Sequence, residues 1–405
     1  MLNYGSLDWK LIGAAMLLSL IGIILIMSAQ YHADSEFAQH YYLRQLIWLG
    51  ISLLIFTIVI YLPLRLFDAS AYLLYFITLL LLVGVLFFGS TRMGAIRWFS
   101  FGPINFAPSD LAKLTLIFGL ARFFSYTKLG AVSKRKLGLS LLLTAIPMAL
   151  ILKQPDLGTS LVFPVILFAL WFWSGLPPLY LFMIISPIIS LIAASHWLAW
   201  AIYFAILLVI LFISRPGMIF GIITVVANLA FGMVTPFLWN KMADYQKLRI
   251  LSFLDPGNDP RGAGYQIIQS KIAIGSGGLW GNGLFSGSQA RLDFLPERHT
   301  DFIFSVLGEE LGLWGALIVI FLFGYILYRA VRIAGKCRSR FVSFVVFGSA
   351  SIILFQLLVN IGMTLGVMPV TGLALPFVSY GGTSLVLSWT LVALLVLADY
   401  HWQEY

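Results

Sequence analysis

The residues best suited to chemistry form an acidic cluster where a polar loop meets an apolar stretch. Of the 16 acidic residues in the chain, five lie between residues 293 and 310: Asp293, Glu297, Asp301, Glu309 and Glu310. Asp301 stands directly before the apolar stretch, and Asp301, Ser305 and Glu309 share one face at helical spacing. A carboxylate that faces an apolar groove has a raised pKa, which suits a general base near neutral pH. Aspartate is also a favoured N-cap residue, so capping is the alternative interpretation of Asp301.

A single lysine inside an apolar segment is the second feature. Lys113 follows Ser109 and Asp110, either of which could cap a helix that opens at Leu111. A cation one turn into a helix is disfavoured by the helix dipole, and a buried charge is expensive. The pattern therefore favours an ion pair with Asp110 or a site for an anionic headgroup. A lysine that extends to the membrane surface is the alternative.

Three further stretches combine polar and glycine residues between apolar segments. Arg97 and Trp98 lie in a loop where tryptophan is also an ordinary residue of the membrane interface. Asp156 lies in a tight turn and is either functional or a helix cap. Residues 375–384, LPFVSYGGTS, form a stretch whose backbone amides could hold an anion, or a turn with no ligand.

The composition identifies an integral membrane protein. Of the 405 residues, 60% are hydrophobic and 10% are charged, and the mean hydropathy is +0.97. Soluble domains have about 25% charged residues. The single cysteine, Cys337, excludes an intramolecular disulfide, and no phosphate-binding loop of the ATPase type or zinc-type cluster of Cys and His is present. In such a chain the net charge of +9 sets membrane topology and does not indicate nucleic acid.

Twelve apolar segments are long enough to be helices that cross a bilayer. The first is expected to be retained, since it lacks a small-residue cleavage signal. The segments lie at residues 11–28, 46–63, 71–88, 108–124, 137–152, 158–175, 178–195, 197–214, 218–239, 302–328, 342–363 and 379–398.

The distribution of lysine and arginine predicts the orientation of these helices. With a cytoplasmic N-terminus, the cytoplasmic connections hold 13 basic residues and the short external ones hold four. The long loop 240–301 is then external, together with 29–45, 89–107 and 364–378. Turn signals occur throughout the loop, at 255–264 and 275–278, and residues 265–274 between them predict a short amphipathic helix on the membrane surface.

With these residues assembled, the chain resembles the SEDS family (shape, elongation, division and sporulation), and in particular its RodA type. The resemblance covers most of the chain and is carried by long, ordered motifs. They are GAIRW at 94–98, FAPSDLAK at 106–113, QPDLGTS at 154–160, DPRGAGYQIIQSKIAIGSGGLWGNG at 259–283, FLPERHTDFIFSVLGEELG at 294–312 and LPFVSYGGTS at 375–384. KIAIGSGG and PERHTDF favour the RodA type over the division type.

The resemblance implies a fold and an activity. The fold is an all-α polytopic membrane domain, 1–405, with the family's ten helices, a two-helix insertion within 178–239 and the external loop 240–301, which carries part of the active site. The activity is that of a peptidoglycan glycosyltransferase, which polymerises lipid II on the outer face of the bacterial plasma membrane for cell elongation and rod shape. The implied partners are a class B penicillin-binding protein and other membrane proteins of the elongation complex.

The resemblance also assigns roles to residues. The essential aspartate of the family falls on Asp301, as catalytic residue. Other cavity residues of the family fall on Trp98, Ser109, Lys113, Asp156, Glu297 and Ser379, and Arg97 and Lys113 are candidates for binding the pyrophosphate. A divalent cation, Mg or Mn, held near Asp301 is a candidate cofactor, although no ligand spacing in the sequence demonstrates it.

Two other functions fit a polytopic protein with ionisable groups. A lipid II flippase has polar groups within its helix bundle, but it needs an aqueous route to both faces, whereas the polar cluster here collects at one end of the helices. A non-catalytic scaffold of the cell-wall complex would tolerate substitution of Asp301.

Overall fold

The computed structural model describes residues 7–31, 40–92, 95–101, 104–126, 134–242, 247, 263–287 and 297–401. Predicted features outside these ranges are Asp293 and most of the turn signals at 255–264. A helix occupies each of the twelve predicted segments, so the all-α membrane fold is confirmed. These helices are α1 (Trp9–Gln30), α2 (Tyr41–Tyr61), α3 (Leu64–Phe88), α4 (Pro108–Ser125), α5 (Lys134–Leu152), α6 (Leu157–Trp173), α7 (Pro178–Ala193), α8 (Trp197–Ser214), α9 (Met218–Lys241), α11 (Ile303–Lys336), α12 (Arg340–Thr364) and α13 (Gly382–Tyr400).

Within the described residues, nine of these helices are long and apolar enough to cross a membrane. The apolar helices α6 and α7 are shorter, with 17 and 16 residues. Helix α4 differs because it carries three charged residues, Asp110, Lys113 and Arg122. Helix α4 is nevertheless buried along most of its length, and Lys113 lies inside the protein, where ionisable groups in membrane helices are usually found, while Asp110 and Arg122 are partly exposed.

A small sheet precedes α4 and was not predicted. Three antiparallel strands, β1 (Ser90–Arg92), β2 (Ala95–Phe101) and β3 (Ile104–Phe106), pair in the order β1-β2-β3. Trp98 pairs with Ser90, and Phe99 pairs with Phe106. The sheet fixes the direction of Arg97 and Trp98 immediately before α4 begins.

The amphipathic helix predicted in the long loop is present as α10 (Ala263–Gly277). Its buried residues, Ile267, Ser270 and Ala273, recur at a spacing of three. The Ser270 hydroxyl lies 2.6 Å from that of Ser305 on α11 and donates to the carbonyl of Thr364 on α12 over 2.6 Å. Helix α10 is therefore packed onto α11 and α12, and its location on a membrane surface stays a prediction.

Helix α11 extends eight residues beyond the predicted end at 328. The extension is stabilised by Arg329, which lies 2.7 Å from the carboxylate of Asp8 and 3.1 Å from that of Asp399. The apolar pattern stopped at the arginine, but its charge is paired, so the helix continues. A kink at Gly312, where φ is 63°, separates the first part of the helix from the rest.

The chain divides into two compact units, one formed by Met1–Leu170 with Ser252–Tyr405 and the other by Trp171–Leu251. The second unit contains α7, α8 and α9, where the two-helix insertion was predicted. Within it, the buried amide of Asn228 donates to the Ser186 hydroxyl over 2.7 Å and to the Thr224 carbonyl over 2.8 Å. Such hydrogen bonds hold membrane helices together where the hydrophobic effect cannot. That two of these helices are additions to a ten-helix core stays a prediction.

Candidate active site

A cavity of about 160 Å³ lies in the larger unit, where helices α4, α6 and α13 begin. Five of the eight residues predicted for the site line it: Arg97, Trp98, Ser109, Lys113 and Asp156. They come from β2, from the first turns of α4 and from the turn before α6. Residues separated by 59 positions in the chain thus meet in one place. The rest of the lining comprises Ala107, Asp110, Thr159, Gln356, Gly372, Leu373, Ala374, Thr383 and Ser384.

The buried lysine is paired, as one of the two predicted alternatives required. Lys113 is 2% exposed, and its Nζ lies 2.7 Å from Oδ1 of Asp110, three residues earlier on α4. The predicted cap was wrong, because α4 begins at Pro108 with Ala107 at the N-cap and no side-chain cap hydrogen bond. Proline suits this position because its nitrogen carries no hydrogen, and a backbone N–H in the first turn of a helix would have no acceptor within the helix. Ser109 and Asp110 are thereby left to face the cavity.

Asp156 serves two roles at once. Its Oδ1 accepts a hydrogen bond from the backbone N–H of Thr159 over 3.1 Å, so the capping interpretation is confirmed for α6. Its Oδ2 lies 3.5 Å from Nε of Arg97, whose Nη2 also donates to the Pro155 carbonyl over 2.8 Å. This ion pair joins β2 to the start of α6 across the cavity wall.

The electrostatics of the lining combine balanced side chains with helix starts. The two cations and the two carboxylates pair with one another, so the charged side chains of the lining sum to zero. Three helices of 17 to 19 residues begin at the cavity, and each adds partial positive charge from its first amides. Asp156 caps α6 and Asp110 lies in the first turn of α4, but each of these carboxylates is paired with a cation. The helix starts therefore make the cavity favourable for an anion.

Asp301 lies beside this cavity, behind Gly372. A side-chain carbon placed on Gly372 would lie 3.3 Å from Oδ2 of Asp301, so the carboxylate packs against this part of the wall. Gly372 has a φ of 74°, a conformation that favours glycine. The N-cap of α11 is Phe302, so Asp301 lies one residue before the cap position.

Hydrogen bonds fix the backbone on both sides of Asp301. The buried Nδ2 of Asn360 donates to the carbonyl of Asp301 and to that of Leu373, over 2.9 Å each. The Ser379 hydroxyl donates to the carbonyl of Thr300 over 2.7 Å. Asp301 is thus attached to α12, to the cavity wall and to the segment before α13.

Glu297 and Ser379 lie in the supporting structure and are not among the residues that line the cavity. Glu297, at a φ of 53°, forms the turn that leads to Asp301, and its Oε2 accepts from the hydroxyl of Thr300 over 2.8 Å. Ser379 is 3% exposed and also accepts from the backbone N–H of Leu375 over 2.8 Å. Substrate contact by either residue stays a prediction.

The segment 375–381 is a turn whose amides are already engaged. The backbone N–H groups of Leu375, Val378, Ser379, Tyr380 and Gly381 all donate to acceptors within the protein. The anion-holding interpretation is therefore wrong for these five amides. Helix α13 begins at Gly382, three residues later than predicted, and its first turn carries Thr383 and Ser384 into the cavity lining.

His299 stacks on Tyr41 and also contacts Tyr380, so that the three rings form one cluster beside this turn. Its ring lies 4.7 Å from that of Tyr41 at an angle of 12°, and 5.6 Å from that of Tyr380. Burial lowers the pKa of His299, and the Arg298 charge lowers it further, while Glu297 opposes the change. The imidazole is therefore neutral at pH 7.

Within the described residues, no three His, Cys, Asp or Glu side chains are grouped to hold a metal ion. Residues 288–296, which include Asp293, lie outside the described part of the chain, and the divalent cation near Asp301 stays a prediction.

Sequence reasoning missed Gln356 and Asn360, which lie one turn apart on α12. Their signal was present, since both are amides inside the apolar segment 342–363. Polar residues in membrane helices usually face the protein interior. The sequence did not indicate which other elements they would meet.

Comparison with known proteins identifies the family of the chain. The family model for FtsW, RodA and SpoVE, described as cell cycle proteins, matches residues 8–203 and 198–404. The peptidoglycan glycosyltransferase MrdB of Escherichia coli K12 is 40% identical over 345 residues, which cover 85% of this chain and 81% of MrdB. The peptidoglycan glycosyltransferase RodA of Treponema pallidum is 31% identical, over 95% of this chain and 94% of RodA.

Solved structures show the same fold. A structure that describes how a peptidoglycan synthase complex coordinates polymerization and crosslinking matches with a TM-score of 0.73 and 32% identity, over 98% of this chain and 99% of that one. The crystal structure of RodA from Thermus thermophilus matches with a TM-score of 0.65 and 28% identity, over 99% of each chain. The sequence motifs, the arrangement of helices and these matches agree, and the chain belongs to the FtsW, RodA and SpoVE family, the SEDS family of membrane proteins.

Proposed function

We propose that this protein is a peptidoglycan glycosyltransferase that polymerises lipid II. The observation that carries the proposal is the cavity, where a buried Lys113 and helix starts suit a diphosphate and where Asp301 lies at the edge. Relatives that cover most of the chain carry the same name. The site belongs to one membrane domain, 1–405, whose loop 240–301 contributes Glu297 and Asp301.

In the proposed reaction, the carboxylate of Asp301 removes the proton from the 4-hydroxyl of the acceptor sugar. The resulting oxygen nucleophile attacks the anomeric carbon of the growing glycan. The bond from that carbon to the diphosphate breaks, and polyprenyl diphosphate leaves with the electron pair. Lys113 and the helix starts stabilise the negative charge that develops on the leaving group.

The location and partners follow from the same proposal. The excess of basic residues in the predicted cytoplasmic connections supports a site on the outer face of the plasma membrane. A class B penicillin-binding protein and other membrane proteins of the elongation complex are the expected partners, because a matching structure comes from a peptidoglycan synthase complex. The proposed role of this protein is in cell elongation and rod shape.

The test is polymerisation of purified lipid II in detergent, with penicillin present to block crosslinking by the added partner. We expect long glycan strands from the wild type and none from Asp301→Asn, because the amide cannot accept the proton. Asp68→Asn is a matched control, since Asp68 pairs with Arg122 over 4.0 Å at a partly exposed position and does not line the cavity. A folded Asp301→Asn protein that polymerises at the rate of the control would refute the proposal.

A further inference from the structure

The cavity contains a buried carboxamide that has no role in the reaction described above. Gln356 on α12 is 3% exposed and belongs to the cavity lining. Among the described residues its side chain has no hydrogen-bond partner. The Ser109 hydroxyl, 5% exposed in the same lining, is likewise without a side-chain hydrogen bond in the described structure. The polar atoms of both side chains keep some accessible surface, because neither residue is among those with a fully buried, unbonded polar atom in the described structure. They therefore open onto the cavity, where a ligand could meet them.

The charged residues of the lining are paired with one another, although Nε of Arg97 is a buried atom without a hydrogen bond among the described residues. Lys113 is bound to Asp110, and Arg97 is bound to Asp156 and to the Pro155 carbonyl. Their hydrogen-bonding capacity is partly used within the protein. The lining also has neutral polar groups that can meet a ligand, and Gln356 is the most buried of them.

The chemistry of a carboxamide narrows the choice of ligand group. It offers two N–H donors and one carbonyl acceptor. A phosphate at neutral pH mainly accepts, so it would leave the carbonyl of Gln356 unpaired. A sugar hydroxyl or a secondary amide on a sugar both donates and accepts, so it satisfies both ends of the side chain.

The size of the cavity agrees with this choice. The cavity has a volume of about 160 Å³ and is partly open to its surroundings, so a large substrate would place only part of itself inside it. It suits a diphosphate next to Lys113 or one side of the sugar that carries it.

We propose that Gln356 binds the sugar attached to the diphosphate of the lipid-linked substrate, through a group that both donates and accepts hydrogen bonds. This inference rests on the proposed function and adds a specificity residue to it. Lys113 and the helix starts hold the anion, while Gln356 distinguishes a sugar-bearing lipid from the bare polyprenyl diphosphate that leaves. The site would therefore release its product more readily than its substrate.

The test compares the binding of two lipids to the full-length protein in detergent. The probes are lipid II and undecaprenyl diphosphate, which lacks the sugar, and both are measured in an Asp301→Asn background to prevent turnover. Gln356→Met removes the donors and the acceptor at similar volume. Ser349→Ala is the control, because Ser349 is a fully buried polar residue on the same helix, bonded to the Val345 carbonyl and not part of the lining.

We expect Gln356→Met to raise the Kd for lipid II about tenfold and to leave the Kd for undecaprenyl diphosphate within about twofold. Unchanged binding of lipid II by a folded variant, or equal weakening of both lipids, would overturn the inference. Should the methionine variant not fold, Gln356→Asn withdraws the carboxamide by one carbon atom and is measured in the same way. If the wild type polymerises lipid II and Gln356→Met binds it normally, only this inference is contradicted. If the wild type makes no polymer, the proposed function itself is contradicted.

Discussion

Replacing Asn360 with leucine tests whether the attachment of Asp301 to α12 matters for turnover. The change removes both donated hydrogen bonds, to the carbonyls of Asp301 and Leu373. Each buried acceptor left unpaired costs about 1–3 kcal/mol. The Asn360 Oδ1 atom is itself buried without a partner, and its removal offsets part of the loss. We expect the free energy of unfolding to fall by about 2–4 kcal/mol.

The effect on catalysis should exceed what the loss of folded protein explains. The two lost bonds join Asp301 to the cavity wall, so the carboxylate would shift relative to the bound sugar. A displacement of about 1 Å can lower turnover by roughly 100-fold. We therefore expect kcat to fall by about that factor, with KM changed much less, because the residues proposed to bind the substrate keep their own contacts.

A matched control separates positioning from stability. Asn228 has the same side chain, is also fully buried and also donates two hydrogen bonds from Nδ2, but it lies in the unit formed by Trp171–Leu251. Asn228→Leu should lose comparable stability in thermal unfolding while its folded fraction keeps the wild-type kcat. If both variants lose kcat in proportion to their stability, or if Asn360→Leu keeps full turnover, the positioning argument is wrong.

Two further predictions concern titratable groups outside the membrane-spanning helices. Because the pKa of His299 is lowered from its ordinary value of about 6.5, the folded state resists protonation, so stability is retained above that pH and lost as the pH falls through the folded pKa. Thermal unfolding between pH 7.5 and 5 should show this loss, and His299→Phe should show less of it; an equal slope in both proteins would contradict the assignment. Burial raises the pKa of the Cys337 thiol to about 11, so this single cysteine should react slowly with maleimide at pH 7.5 and much faster after denaturation in SDS. Equal rates in the two states would show that the thiol is not shielded.

The sequence predicted well those features that local chemistry determines. Each apolar segment became a helix, because the length and composition of a membrane helix are properties of the segment itself. The pairing of Lys113 with Asp110 was also accessible, since three residues along a helix place two side chains side by side. The main errors in the predicted helix ends arose where contacts with distant residues determine where the helix stops. At Arg329 these partners are Asp8 and Asp399, which lie near opposite ends of the chain.

The candidate site was predictable in its members but not in its arrangement. Five predicted residues line one cavity, whereas Ser379 lies behind it and holds Thr300. Ser109 in the first turn of α4 could cap the helix or face the cavity, and the amides at 375–381 could hold an anion or bond within a turn. Only the partners of each hydroxyl and amide, which come from distant parts of the chain, distinguish these alternatives. The three-stranded sheet was missed for a related reason, because its strands are only three to seven residues long.

Helix α12 would connect the proposed binding of substrate by Gln356 with the placement of Asp301, the proposed base. Gln356 and Asn360 are four residues apart, so they lie on one face of the helix and about 6 Å apart along its axis. One amide faces the cavity, and the other holds the backbone of Asp301. A general base has to come within about 3 Å of the proton that it removes. A sugar bound by Gln356 would therefore place its anomeric carbon close to Asp301, so that an acceptor hydroxyl could meet both the base and the carbon that it attacks.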